Sequence, residues 1–132
     1  MRLSGEFLHA DGHIESFKFP EAEAISRLIA FPWDAQLREA ELLKKCSPTV
    51  SLEYPEKACL LWASVVEKHK ESKFLVHFEK DAGKACSEND GIALSLLPEL
   101  IRSFYRGDFD ALTKAISKPS QERSPTRAQL VK

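Results

Sequence analysis

Two histidines on either side of an aspartate, His9, Asp11 and His13, come closest in this chain to the pattern of a metal site. Asp11-Gly12 predicts a tight hairpin turn, because these residues supply the positive φ angles that such a turn demands. Imidazoles on opposite arms of a hairpin can converge on one ion, but a functional site needs a third protein ligand, and the spacing provides none. We therefore expect exposed turn histidines and no bound metal.

His77 stands two residues before Glu79, and a histidine with a carboxylate neighbour is the starting material for general-base catalysis. That role needs a nucleophile or a substrate within reach. The chain has no Gly-x-Ser-x-Gly motif, and Cys46, Cys59 and Cys86 stand in no recognisable nucleophile context. Their wide spacing also argues against a disulfide framework or a zinc knuckle, and the glycines form no phosphate-binding loop. We expect neither catalytic residues nor a cofactor.

The charged residues are unevenly distributed along the chain. Residues 1–56 carry 10 acidic side chains against 6 basic ones, residues 57–118 carry 9 against 10, and residues 119–132 carry 1 against 3. An acidic run is usually a solvated helix face, but it can also dock a basic partner. The basic residues form no stripe interleaved with aromatics, so nucleic acid is not an expected partner.

The candidate contacts to a basic protein partner combine the acidic bias with a large aromatic side chain that could anchor an interface. They are Trp33, Asp34, Glu39, Glu41 and Glu53. The competing hypothesis is that both tryptophans, Trp33 and Trp62, are core residues.

The length and composition are typical of one soluble domain. The chain has 132 residues, of which 43% are apolar and 30% charged. No segment has the apolar character of a signal peptide or a membrane span, so we expect a cytoplasmic protein, a monomer or weak dimer, with no membrane partner. The domain is predicted over residues 1–118, with a flexible tail over 119–132.

Periodicity predicts an α+β domain with an antiparallel sheet and helices packed mainly on one face, in the order β-β-α-α-β-β-β-α-α. An N-terminal hairpin precedes two short helices separated at Pro32, with Ile25, Leu28 and Ile29 inward in the first of them. A three-stranded meander follows over residues 49–78. Its middle strand, residues 58–66, is apolar on both faces, which predicts a central strand covered on each side or the best-buried strand.

The C-terminal third is predicted to be helical after a polar loop over residues 81–91 and a possible edge strand over 91–94. Ser95 is the expected N-cap of a helix that carries Pro98 in its first turn. Its predicted buried stripe consists of Leu97, Leu100, Ile101 and Phe104. Gly107 and Asp108 are expected to end this helix and to cap the next.

The layout resembles the small immunity proteins of bacterial polymorphic-toxin systems. The resemblance rests on "FPWDAQLREAELLKKCSPTVSLEY", "LLWASVV", "FLVHFE" and "LSLLPELIRSFYRGDFDAL", and it covers residues 30–115. It implies a non-enzymatic cytoplasmic protein that binds one cognate toxin, which could be basic, and occludes its active site. Two alternatives stay open: a secretion chaperone or adaptor for an effector, and a small metal-binding enzyme that uses His9, Asp11, His13 or His77.

Overall fold

The computed structural model describes residues 3–18, 20–43, 46–54, 58–67, 73–81, 83 and 85–117. The strands are β1 (Ser4–Leu8), β2 (Ile14–Phe17), β3 (Thr49–Tyr54), β4 (Cys59–Glu67), β5 (Lys73–Lys80) and β6 (Ala85–Ala93). The helices are α1 (Glu21–Ala30), α2 (Trp33–Leu43), α3 (Leu97–Tyr105) and α4 (Phe109–Ser117), with a 3-10 turn at Leu94–Leu96 before α3. The predicted tail over residues 119–132 lies outside the described residues.

The strands form one six-stranded antiparallel sheet in the order β2-β1-β3-β4-β5-β6. The predicted α+β class and order of elements are confirmed. Residues 91–93 of the predicted edge strand belong to β6, which begins earlier than predicted, because residues 85–90 of the predicted polar loop are also part of this strand. This polar strand pairs with β5 and supplies hydrogen-bond partners to a sheet edge that would otherwise be open.

The helices pack on one face of the sheet, where alternate strand residues are buried. Phe31, which follows α1, stacks on Phe7 of β1, and Trp33 of α2 meets Phe74 of β5 edge-on. Phe104 of α3 stacks on Tyr54 of β3. The four positions predicted for the buried stripe of α3 are all buried: Leu97, Leu100, Ile101 and Phe104. Aromatic and aliphatic burial on this one face is the main source of stability.

Gly5 leaves room for the Phe17 ring of β2 to lie over β1 on the helix side of the sheet. A β-carbon at this position would overlap the ring of Phe17 and come within 2.9 Å of Leu52 Cδ2. The residue opposite Gly5 on β2 is Phe17, and the residue opposite it on β3 is Leu52. The missing side chain therefore makes room for two neighbours at once.

Several predicted details differ from the structure. Ile29 is 58% exposed, because α1 turns Ala24 and Leu28 inward instead. Ser95 does not cap α3, since the 3-10 turn delays the start of the helix and places Leu96 at the N-cap. Pro98 does lie in the first turn, as predicted.

The turn between α3 and α4 follows the prediction. Gly107 has a φ of +74°, and the Asp108 Oδ1 accepts a hydrogen bond from the Ala111 N–H. None of the helices within the described ranges is both long and apolar enough to cross a membrane.

Candidate functional site: the open face of the sheet

The face of the sheet opposite the helices, called the open face below, is covered by no helix among the described residues. The strand register arranges its side chains in rows that run across the strands. One row crosses all six strands and consists of Ser16, Glu6, Ser51, Trp62, His77 and Glu88. The next row consists of Ser4, Glu53, Leu60, Glu79 and Cys86.

The middle strand of the meander is central, as predicted, but it is not covered by helices on both faces within the described residues. β4 is central, and its Cys59, Leu61, Ala63 and Val65 are buried beneath the helices. The alternate residues Leu60 and Trp62 are only half-buried, although they are as apolar as the covered side. An apolar surface at the centre of a sheet that is left partly accessible to water makes this face the candidate for an interaction site.

Trp62 occupies the middle of the open face. Its indole stacks on the imidazole of His77, with ring centroids 5.3 Å apart and planes inclined by 22°. Ser51 lies opposite Trp62 on the other neighbouring strand. The stacking on His77 restrains the Trp62 ring, and a restrained aromatic ring at the centre of a sheet face is suited to anchor an interface.

His77 is held by a carboxylate at each ring nitrogen. Its Nδ1 lies 3.0 Å from Glu88 Oε2, and its Nε2 lies 2.9 Å from Glu79 Oε1. Ionised carboxylates only accept hydrogen bonds, and a neutral imidazole has a single N–H. One of the two contacts therefore brings a nitrogen lone pair against carboxylate oxygen unless a cation, either a second proton or a metal ion, lies between them.

Cys86, two residues before Glu88 on β6, adds a thiol to this cluster. It is exposed, and its thiol donates a hydrogen bond to the Gly83 carbonyl at 3.3 Å. The ligand atoms of His77, Glu79 and Cys86 all lie within 4.8 Å of one another. Within the described part of the chain, these three form the group of histidine, cysteine or acidic residues that could hold a metal ion.

Acidic side chains surround the apolar centre of the open face. Within the described strands these are Glu6, Glu53, Glu79 and Glu88. Lys73 of β5 adds a positive charge to the same face. A shallow depression at the β1–β2–β3 end adds three serine hydroxyls and one more cation; it is lined by Ser4, Ser16, Ser51, Glu6, Glu53, Leu60, Lys18 and neighbouring backbone. The open face thus combines an apolar centre with an acidic and hydroxyl-rich margin.

The residues predicted to contact a partner do not share one surface. Trp33 is 3% exposed and donates its indole N–H to the Leu28 carbonyl at 2.9 Å, so it is a core residue and not an exposed anchor. Asp34, Glu39 and Glu41 are exposed on α2, on the helix side of the sheet. From the predicted set, Glu53 alone lies on the open face, beside Leu60.

The hairpin histidines lie apart from the open-face cluster. The rings of His9 and His13 are 5.2 Å apart, and His9 Nε2 faces Glu15 Oε1 at 3.3 Å. Asp11 uses its Oδ1 to accept a hydrogen bond from the His13 backbone N–H, which serves the turn. One oxygen of the carboxylate between the two histidines is therefore engaged in the turn.

Little of the open-face site can be predicted from the sequence. His77 and Glu79 were considered as a pair, but Glu88 and Cys86 reach them only through the pairing of β5 with β6. Comparisons of the chain with protein-family models, with curated proteins and with solved structures find no match. The resemblance to immunity proteins therefore stays a prediction.

Proposed function

We propose that the open face is a protein-docking surface and that the chain is a non-enzymatic, immunity-type inhibitor. In this proposal it binds one cognate toxin and occludes that toxin's active site. The observation that carries the proposal is the half-buried Trp62 at the centre of a sheet face that no described helix covers. The resemblance over residues 30–115 supplies the immunity role.

The apolar centre of the open face has the composition of an interface core. Trp62 lies between Leu60 on its own strand and Leu75 on the next, and all three are half-buried. Interfaces derive most of their binding energy from a few aromatic or aliphatic anchors near the centre, while surrounding residues exclude water. The glutamates and serines at the margin would form such a surround.

The charge of the open face indicates a basic partner. Glu6 and Glu53 flank the apolar centre on one side, and Glu79 and Glu88 flank it on the other. Complementary potential increases the association rate and selects the partner more than it adds affinity. An enzyme that holds a polyanionic substrate presents a basic cleft, and an acidic surface with an apolar centre is suited to close such a cleft.

The test is co-expression with the products of the adjacent genes, followed as growth of the host cells. We expect one of those products to be toxic and the wild-type chain to restore growth. The Trp62→Ala and Glu53→Lys variants should lose this protection. The matched control carries Asp34→Lys, Glu39→Lys and Glu41→Lys on α2 and should protect as well as wild type. The proposal is contradicted if no neighbouring product is toxic, if none is neutralised, or if only the α2 variant fails.

A second candidate, a secretion chaperone, is favoured by one specific feature of α2. Leu42 and Leu43 at its C-terminal end are 83% and 46% exposed. Such chaperones act as dimers and hold extended segments against apolar surface. Light scattering distinguishes the candidates: a dimer that Leu42→Asp dissociates would support a chaperone, and a strict monomer would contradict it.

A further inference from the structure

We propose that His77, Glu79 and Cys86 form a zinc-binding site at the β5–β6 end of the open face. The inference does not depend on the proposed docking function, because it concerns only the chemistry of three side chains and their neighbours. It differs from the metal site considered at the hairpin, which would have used His9, Asp11 and His13.

The strand register brings the three ligands together. His77 and Glu79 are two residues apart on β5, so their side chains emerge on the same face of the sheet. Cys86 lies directly opposite Glu79 on β6. The three ligand atoms lie within 4.8 Å of one another. Small side-chain rotations would bring each to the bond length of a zinc site, about 2.0–2.3 Å from a common centre.

The ligand types select the metal. One imidazole nitrogen, one carboxylate oxygen and one thiolate sulfur form a borderline-soft set that suits Zn²⁺ and excludes Mg²⁺ and Ca²⁺, which prefer oxygen ligands alone. Three protein ligands on an accessible face leave a fourth tetrahedral position toward solvent. Water, or a side chain of a bound protein, would occupy it.

Glu88 completes the arrangement around His77. Its Oε2 lies 3.0 Å from His77 Nδ1, so the neutral ring can donate from Nδ1 and direct the Nε2 lone pair toward Glu79. Histidines that bind metal through one nitrogen usually donate the other N–H to a carboxylate or carbonyl in this way. The stacked Trp62 ring restrains the imidazole plane.

A metal ion also removes an electrostatic conflict in the cluster. With a neutral imidazole donating to Glu88, the Nε2 lone pair faces the Glu79 carboxylate at 2.9 Å. Two electron-rich atoms at this separation need a proton or a metal ion between them, and a bound Zn²⁺ would take that place. To bind the metal, the Cys86 thiol would give up its hydrogen bond to the Gly83 carbonyl, at 3.3 Å.

The experiment is a titration of the full chain, prepared free of metal, with Zn²⁺ by calorimetry and with Co²⁺ by absorbance. We expect one ion per chain, a thiolate-to-cobalt charge-transfer band, and quenching of Trp62 fluorescence by Co²⁺. Cys86→Ser should abolish the charge-transfer band, and His77→Ala should abolish stoichiometric binding. Glu88→Gln, which leaves the ligands in place, should weaken Zn²⁺ affinity by about 10–100-fold.

Matched controls use the residues of the same types elsewhere in the chain. Cys46→Ser and the double variant His9→Ala, His13→Ala should leave affinity, stoichiometry and spectrum unchanged. Circular dichroism of each variant verifies the fold. The proposal is overturned if wild type binds no stoichiometric Zn²⁺, if the cobalt spectrum survives Cys86→Ser, or if the hairpin double variant is the one that loses binding.

Discussion

The indole of Trp62 stacks on the imidazole of His77 with a centroid separation of 5.3 Å, on a sheet face with no described helix over it. The other tryptophan, Trp33, lies in the core against Phe74 on the opposite face. The two side chains thus have different roles. Trp33 joins helix to sheet, whereas Trp62 lies on the open face against the imidazole of the His77 cluster.

This contrast predicts unequal costs of removing the two indoles. Trp33→Ala should lower the free energy of unfolding by about 3–5 kcal/mol, since it leaves a cavity and an unpaired Leu28 carbonyl. Trp62→Ala should cost less, about 1–2 kcal/mol, from one ring contact and the burial of a half-buried indole. Urea denaturation measures both values. Equal losses would mean that the Trp62 side of the sheet is covered like the core, and the open face would not be available for docking.

Gly5→Ala should destabilise the protein by about 1–3 kcal/mol, because the new methyl group overlaps the Phe17 ring and approaches Leu52. The cost is steric, so combining Gly5→Ala with Phe17→Leu should recover part of it. A double-mutant cycle on unfolding free energies measures the coupling. If the two costs simply add, the close approach of Phe17 to Gly5 does not determine the stability of the hairpin.

Asn89 connects the irregular part of β6 to α4. Its Nδ2 donates to the Ile116 carbonyl at 2.9 Å, and its Oδ1 accepts from the Gly91 N–H at 2.8 Å. Asn89→Ala should cost about 1–3 kcal/mol, because it leaves a carbonyl and an amide without this partner. Hydrogen exchange should show faster opening at the C-terminal end of α4. Unchanged exchange there would contradict an anchoring role.

The raised pKa of Tyr105 predicts that the protein loses stability in alkali. Burial, assisted by Tyr54 and Glu21, raises its pKa from 10.0 to about 12. The folded protein therefore keeps the phenolic proton after the unfolded chain has lost it. This contribution is fully present below pH 10 and is lost as the pH rises toward about 12. Urea midpoints should fall less steeply over this range in Tyr105→Phe than in wild type, and identical slopes would contradict the assignment.

Regular alternation made much of the fold predictable from sequence. β3 and β5 each alternate apolar and polar residues, and α3 carries an unambiguous apolar stripe from Leu97 to Phe104. β6 was missed because its segment "ACSENDGIA" is polar and carries a register shift opposite β5. Its strand conformation comes from pairing with its neighbour, a long-range effect that local propensity does not contain.

The site was less predictable than the fold. Apolar residues on both sides of β4 indicate burial on two faces, but they do not reveal that one face has no helix over it among the described residues. The sequence also cannot distinguish Trp33 from Trp62, since both stand in apolar segments. Cys86 and Glu88 meet His77 because of the β5–β6 register, which runs without interruption from Lys80↔Ala85 to Val76↔Asn89.

Photo-crosslinking from the open face tests the central claim most directly. The photoreactive residue p-benzoylphenylalanine would replace Trp62 in one variant and Glu39 of α2 in another, and each would be irradiated with the toxin that the wild-type chain neutralises. We expect a covalent adduct from position 62 and none from position 39. An adduct from position 39 with none from position 62 would place the partner on the helix side and contradict the account.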